Sequence, residues 1–310
     1  MRAQSIIIGA LTLLVVAGCD EFAPTTESPA PEPAAAPAPR APSEQSAQLA
    51  RYYSRVQAEL LSRGLLRTDG GGTDTPYSTR MLAANFERIT FFDEYDDTGS
   101  LRRSAGRESN LRRWKGPVRI GLTFGPSVHD EIRSATRTEV RDYAARLARI
   151  TGHPITTSER SSNFHVLVMG EDDRDTMMDK VREIAPYAAP STIRHFRFLP
   201  RDIHCFVVAF SRGGDQYTYT SAIALIRAEH PELLRSACIH EELAQGLGLA
   251  NDSPEARPSI FNDDDEFALL TEHDEKLLAM LYDPRLSPGQ SGEEARPVIR
   301  TLAREQMGRD

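Results

Sequence analysis

Hydrophobic residues along the central part of the chain follow two spacings in turn. Within 117–124, Val118, Ile120 and Leu122 occupy every second position, as expected for a strand. Apolar residues of 134–151 recur three or four positions apart, as on one face of a helix. The same spacings predict strands at 164–169, 204–210 and 217–226, a short helix at 175–185 and a longer helix after Pro231. This order predicts an α/β (α+β) fold in which helices cover a mixed, twisted sheet.

Helical spacing also marks the region before the predicted sheet. It covers 47–66 and part of 76–94, and glycines at 70–72 separate the two segments. Residues 21–45 are rich in proline and alanine and have no apolar periodicity, which predicts an extended tether. The chain is therefore divided into a leader at 1–18, a tether at 19–46, a helical extension at 47–115, a main domain at 116–290 and a C-terminal tail at 291–310.

Two short motifs predict a turn and the start of a helix. The Arg-Gly-Gly-Asp sequence at 212–215 lies between two predicted strands and indicates a hairpin. Thr271 and Asp274 have the spacing of a capping box, in which each side chain bonds to the backbone of the other residue. They predict a helix that runs to Leu281 and Tyr282.

Length and charge limit the classes of function. The chain has 310 residues, of which 40% are hydrophobic, enough for one large domain or two small ones. Its formal net charge is −8, whereas general nucleic-acid binding requires a basic surface that replaces phosphate counterions. The composition therefore argues against a nucleic-acid partner.

The N-terminus has the pattern of an export signal. Arg2 precedes an apolar stretch at 6–17, which is too short to span a bilayer as a permanent helix. The stretch ends in Val-Ala-Gly-Cys at 16–19, which resembles a bacterial lipobox, and an ordinary signal peptide is the alternative. The resemblance implies that Cys19 carries lipid, that acyl chains anchor the protein to a membrane, and that the domain faces the periplasm. The resemblance does not decide whether the anchor lies in the inner or in the outer membrane.

Export also bears on the remaining cysteines. Cys205 and Cys238 would lie in an oxidising compartment, where a disulfide between them is the favoured state. Two buried free thiols are the alternative.

A basic segment follows the second helical region. Only Glu108 opposes its positive charges, which belong to Arg102, Arg103, Arg107, Arg112, Arg113 and Lys115. We interpret the segment as a solvated loop. Contact with anionic lipid head groups close to the anchor is the alternative.

The candidate chemistry lies on the helix after Pro231. At about 100° per residue, Glu241, Glu242 and Gln245 share one face of this helix, opposite an apolar face. Their spacing matches the frame H-E-x-x-H-x-x-G-x-x-H of zinc peptidases, with Glu242 and Gly248 in register. The three histidine positions hold Glu241, Gln245 and Asn251. A solvent-facing amphipathic helix is the simpler interpretation of this helix alone.

Three downstream features favour the peptidase frame. Gly248 stands where the helix must end, and the turn Ser259-Ile260-Phe261 resembles a metzincin Met-turn with phenylalanine in place of methionine. The Leu-Thr-x-x-Asp start at 270–274 and the Leu-Tyr end at 281–282 are also similar to metzincins. The chain thus resembles a degenerate metzincin-like zinc metallopeptidase, which implies a twisted sheet, an active-site-type helix and a C-terminal helix.

The same segments resemble an uncharacterised bacterial lipoprotein family, the domain of unknown function 2927. The resemblance is carried by the Cys-Ile-His-Glu-Glu, Gly-Leu-Gly-Leu, Asn-Asp, Ser-Ile-Phe-Asn-Asp and Leu-Tyr-Asp-Pro-Arg segments between 238 and 285. The upstream Leu-Arg-Arg-Trp at 111–114 also fits. This family has no established activity to carry over.

The donor atoms at the histidine positions decide between an enzyme and a binding protein. A catalytic zinc needs three protein ligands and an open position, and amide oxygens are poor zinc donors. We therefore favour a pseudoenzyme without a cofactor that binds a peptide or an envelope component. The alternative is an active hydrolase with Glu242 as general base. Zinc or another divalent cation would then be held by Glu241, Gln245 and either Asn251 or Asp252.

Overall fold

The structure, a computed structural model, describes residues 41–93, 106–262 and 264–308. The predicted leader, Cys19 and most of the tether lie outside the described residues, as do Arg102 and Arg103. Residues 39–310 form one compact unit. No helix within the described ranges is both long and apolar enough to cross a bilayer.

The helices are α1 Glu44–Ser62, α2 Thr79–Thr90, α3 Asp130–Thr151, α4 Arg174–Ile184, α5 Pro190–Arg197, α6 Glu232–Gln245, α7 Glu272–Leu281 and α8 Gly292–Gln306. The strands are β1 Arg113–Trp114, β2 Val118–Phe124, β3 Ile155–Thr157, β4 Phe164–Met169, β5 Cys205–Ser211 and β6 Thr218–Arg227.

A mostly parallel sheet forms the centre of the molecule. Strands β3, β2, β4 and β6 lie side by side and parallel, and β1 pairs with the first residues of β6. Strand β5 pairs antiparallel with β6 through the predicted hairpin. The α/β prediction is confirmed, and so are the predicted strands at 164–169, 204–210 and 217–226.

Local signals locate the end of α3 and the start of α7 correctly. Helix α3 ends at Gly152, which has a φ of 63° in the left-handed region that glycine adopts without strain. Helix α7 begins with the predicted capping box, because the Thr271 side chain accepts from Asp274 N while the Asp274 carboxylate accepts from Thr271 N.

The division at residues 115 and 116 does not separate two cores. Phe86 of α2 and Trp114 of β1 belong to the same buried cluster as Val118 of β2. The tail at 291–310 also differs from the sequence analysis, because it contains α8, whose Ile299 and Leu302 are buried in that cluster. Helices α2 and α8 therefore complete the core around the sheet.

The basic segment is only partly a solvated loop. Arg112 is largely buried and pairs with Asp93, which also pairs with Arg107. The Arg113 guanidinium donates to the backbone carbonyls of Leu281 and Leu286, at 2.7 Å for the latter. These arginines hold chain segments together, and the solvated interpretation is wrong for Arg112 and Arg113.

Candidate functional site

A cleft of about 810 Å³ opens between strand β5 and helix α6. Residues 205–209 of β5 form one wall, and the start of α5 lies near it. The polar groups of α6 and of the loops that follow it line the other side, and they are Glu241, Glu242, Gln245, Asp252, Asn262 and Asp265. The predicted polar face of α6 therefore points into a cleft and not toward open solvent.

The two glutamates differ in exposure although they are neighbours in sequence. Glu242 is 2% exposed, whereas Glu241 is half-buried nearer the opening of the cleft. Gln245 lies one turn further along α6, and its Nε2 donates to Asp252 Oδ1 at 3.1 Å. The helix thus brings together the residue proposed as general base and two of the three degenerate ligand positions.

The third degenerate ligand position lies elsewhere. Asn251 does not line the cleft, and its Nδ2 donates to the backbone carbonyl of Arg88 at 2.9 Å. Asp252, the next residue, takes its place beside Gln245. Of the two alternatives for the third ligand, the structure places only Asp252 in the cleft.

The Met-turn-like segment lies beneath the cleft and is held by one carboxylate. Asp274 Oδ1 accepts from Ser259 Oγ at 2.5 Å, and its Oδ2 accepts from Ile260 N at 3.0 Å. Ile260 lines the cleft, while Phe261 is fully buried in the core. The turn supports the floor of the site, and Asp274 joins it to the start of α7.

The end of α6 requires small residues because other chain segments lie against it. A Cβ on Gly246 would overlap the Phe164 ring, and a Cβ on Gly248 would overlap the backbone carbonyl of Arg112. Gly248 also has a φ of 130°, which other residues adopt only with strain. Trp114 Nε1 donates to the Gly246 carbonyl at 2.8 Å, so the end of α6 is fixed against β1.

The two remaining cysteines join the walls of the cleft. Cys205 on β5 and Cys238 on α6 are placed at disulfide bonding distance, with their Cα atoms 5.8 Å apart. The predicted pairing is confirmed to that extent. The bond connects the edge strand directly to the helix that carries Glu241 and Glu242.

His240 lies on the far side of α6 from the cleft. Its ring stacks on Tyr143 with 3.9 Å between centroids, and its Nδ1 accepts from Leu270 N at 3.0 Å. Burial, together with Arg146, lowers the pKa of His240 to about 3, so the ring is neutral. His240 fixes the helix to the loop before α7 and offers no ligand to the cleft.

Sequence reasoning missed two histidines that line the cleft. His195 comes from α5 and His204 immediately precedes β5. Burial lowers the pKa of His204, which favours the neutral ring. The hydrophobic spacing carried no signal for either residue, because their position depends on how α5 and β5 pack beside α6.

The donors in the cleft do not fit a catalytic zinc. In the described ranges, Cys205, Glu241 and Glu242 are the group whose potential ligand atoms lie within 4.8 Å of one another. A disulfide sulfur is not the thiolate that binds metal, so two carboxylates remain. Gln245 adds an amide group, which suits zinc poorly.

The outer edge of β5 faces the cleft with its backbone. The N–H of Ala222 in β6 donates toward β4, and backbone groups of successive strand residues point to opposite sides. Ile223 therefore faces β5, where it pairs with Val208. The flanking residues Val207 and Ala209 direct their N–H and C=O groups away from β6. No hydrogen bond from any described residue outside the strand pair reaches these groups.

Comparison with known proteins places this architecture in a family. No curated protein and no solved structure matches the chain. A family model described as "Protein of unknown function (DUF2927)" matches residues 79–301, from the start of α2 into α8. The match includes the sheet, the cleft and the turn that supports it, so the chain belongs to the DUF2927 family.

Proposed function

We propose that the domain is a non-catalytic module that binds an extended peptide or a peptide-containing envelope component in the cleft. The observation that carries this proposal is the outer edge of β5, where Val207 and Ala209 present backbone donors and acceptors beside an open volume. An added strand would pair with these groups and place its side chains in the cleft.

The resemblance to metzincins supports the same assignment. Glu242, Gly246 at the end of α6 and Ile260 of the Met-turn-like segment line one cleft, which agrees with the arrangement that the resemblance implies. Because the three histidine ligands of the motif are absent, zinc-dependent hydrolysis would be lost while the cleft remains. Without a metal, the pKa of water stays near 15.7, which is too high for Glu242 to generate a hydroxide nucleophile efficiently.

A hydrolase is the second candidate, and the contact between Gln245 and Asp252 favours it. This contact holds a third carboxylate in the cleft that Glu241 and Glu242 also line, and hard divalent cations bind carboxylate and amide oxygens. In this alternative, Glu242 is the general base and Asp252 replaces Asn251 as a ligand.

The anchor and the location are part of the proposal. Lipid on Cys19 would hold the protein at the bacterial membrane, with the domain in the periplasm. Mass spectrometry of the protein purified from its membrane tests this point. Acyl mass on a chain that begins at Cys19 supports the anchor, and an unmodified Cys19 contradicts it.

Selection from a phage-displayed library of random peptides, with residues 39–310 as bait, tests the binding function. Ala209→Pro removes an outward N–H without removing a bond to β6, so peptide affinity should fall at least about tenfold. Ala209→Ser keeps the N–H and should bind normally. If both variants bind equally, the peptide does not pair with β5.

Metal analysis and Glu242→Gln distinguish the two candidates. The binding module predicts no stoichiometric metal and unchanged peptide affinity after Glu242→Gln. The hydrolase predicts cleavage of the selected peptides that depends on an added divalent cation and is lost in Glu242→Gln.

A further inference from the structure

A groove separate from the cleft runs between helices α2 and α8. It encloses about 770 Å³ and is lined by four arginines. Arg80 comes from α2, and Arg296, Arg300 and Arg304 come from α8. All four side chains are exposed.

The groove is strongly positive in a chain whose formal net charge is −8. Its one acidic lining residue, Glu87, pairs with Arg296 at 3.1 Å. No carboxylate of the described residues forms an ion pair with Arg80, Arg300 or Arg304. With Glu87 paired to Arg296, these three guanidinium groups leave the lining of the groove with a net positive charge.

Three of the arginines form a row along the groove. Positions 296, 300 and 304 are four residues apart and lie on one face of α8, so the row extends about 12 Å. The facing residues Ala83 and Ala84 of α2 are small and leave room for the guanidinium groups. A guanidinium binds phosphate through paired, planar N–H donors, so the row suits several phosphate groups in succession.

We infer that the groove between α2 and α8 binds the phosphate head groups of anionic phospholipids. An open row of arginines matches a surface of repeated phosphates better than it matches one small anion. Met81, the residue after Arg80, does not line the groove but is 39% exposed and offers an apolar side chain on the same helix. Such a pairing of basic and apolar groups suits the interface of a bilayer.

The groove differs from the basic segment considered in the sequence analysis. Arg112 and Arg113 of that segment hold the fold together, whereas the arginines of the groove are exposed on α2 and α8. Binding of head groups in the groove does not depend on peptide binding in the cleft. The two proposals have only the lipid anchor at Cys19 in common. A tethered domain that binds head groups would keep one orientation at the membrane.

Co-sedimentation of residues 39–310, the compact unit without leader and lipid, tests the inference. The unit should bind vesicles of phosphatidylglycerol and phosphatidylcholine and should not bind vesicles of phosphatidylcholine alone. The triple change Arg80→Gln, Arg300→Gln and Arg304→Gln should weaken this binding roughly a hundredfold, since each basic residue near a membrane contributes severalfold. Raised salt should weaken it further.

A second triple variant serves as the matched control. Arg51→Gln and Arg55→Gln on α1 and Arg63→Gln directly after it remove the same charge from exposed positions and should leave vesicle binding unchanged. An equal loss in both triples, or equal binding to neutral vesicles, would overturn the inference. Binding to soluble polyphosphate without binding to vesicles would also overturn it and assign the groove to a soluble anionic polymer.

Discussion

The amide of Gln245 and the carboxylate of Asp252 meet in the cleft, with 3.1 Å between Nε2 and Oδ1. Two ligands of one tetrahedral zinc, each at about 2.0–2.1 Å from the metal, have donor atoms roughly 3.3 Å apart. The protonated Nε2 of Gln245 cannot itself bind a metal, but the contact places side chains at positions 245 and 252 within the distance that two ligands of one zinc ion require. Glu241 lies one turn earlier on the same face of α6.

Replacing the two helix positions with histidine should therefore create a zinc site. We expect Glu241→His with Gln245→His to bind one zinc ion per chain, with Asp252 as third ligand, as measured by titration calorimetry. Adding Asp252→Ala should weaken zinc binding roughly tenfold or more. Adding Asn251→Ala should leave zinc affinity unchanged, because Asn251 bonds to Arg88 outside the cleft.

Zinc binding that depends on Asn251 and not on Asp252 would contradict this geometry. It would mean that the loop after α6 adopts the register of the zinc-peptidase motif when the metal is present.

Asp274 should be among the most costly side chains to remove. It is fully buried and accepts from the backbone N–H groups of Ile260 and Thr271 and from the hydroxyl of Ser259. Asp274→Ala leaves these buried donors unsatisfied, so we expect a loss of at least about 3 kcal/mol in the free energy of unfolding, measured in urea.

Glu294 provides the matched control for Asp274. It occupies the same capping-box position at the start of α8 but is exposed to solvent. Glu294→Ala should lower the free energy of unfolding much less, because water can replace the carboxylate at an exposed capping box. Similar losses in the two variants would show that Asp274 acts only as a helix cap and does not hold the turn at Ser259.

The sequence predicted the elements whose apolar spacing and end signals are clear. Helix α3 has an apolar face and a closing Gly152, and β4 is apolar except for His165, so both were placed closely. Helix α8 was missed because Pro297 interrupts it and because two of its four buried residues are alanines, which give a weak apolar stripe. Its burial against α2 depends on tertiary packing.

The same distinction applies to the candidate site. Helical periodicity placed Glu241, Glu242 and Gln245 on one face, and the structure turns that face into the cleft. After Gly248 no fixed period relates sequence to direction, so the sequence could not decide between Asn251 and Asp252. His195 and His204 reach the cleft from separate elements, and only the packing of those elements brings them near α6.

The disulfide should stabilise the wall of the cleft. Cys205 and Cys238 are 33 positions apart, and closing a loop of this length restricts the unfolded chain. We expect the double change Cys205→Ser and Cys238→Ser to lower the free energy of unfolding by about 2–4 kcal/mol in chemical denaturation. Mass spectrometry without reductant should find the two cysteines linked, and two free thiols in the mature protein would contradict the pairing.

Burial of His240 should make the stability of the domain fall in acid. The unfolded chain binds a proton at this ring below pH 6.5, whereas the folded ring stays neutral until about pH 3. The free energy of unfolding therefore decreases as the pH falls from 6.5 toward 3, by about 1.4 kcal/mol per pH unit for this one group. Above pH 6.5 the ring is neutral in both states and contributes no pH dependence.

The change His240→Gln isolates this contribution. The glutamine amide oxygen can still accept from Leu270 N but cannot take up a proton, so the stability of the variant should fall less steeply between pH 6.5 and 4. Urea denaturation at several pH values measures the slope, and the exposed His129→Gln serves as a control that should keep the slope of the wild type. Equal slopes for His240→Gln and the wild type would show that the buried ring is protonated in the folded state. A protonated Nδ1 could not accept the hydrogen bond from Leu270 N, so that contact would then be wrong.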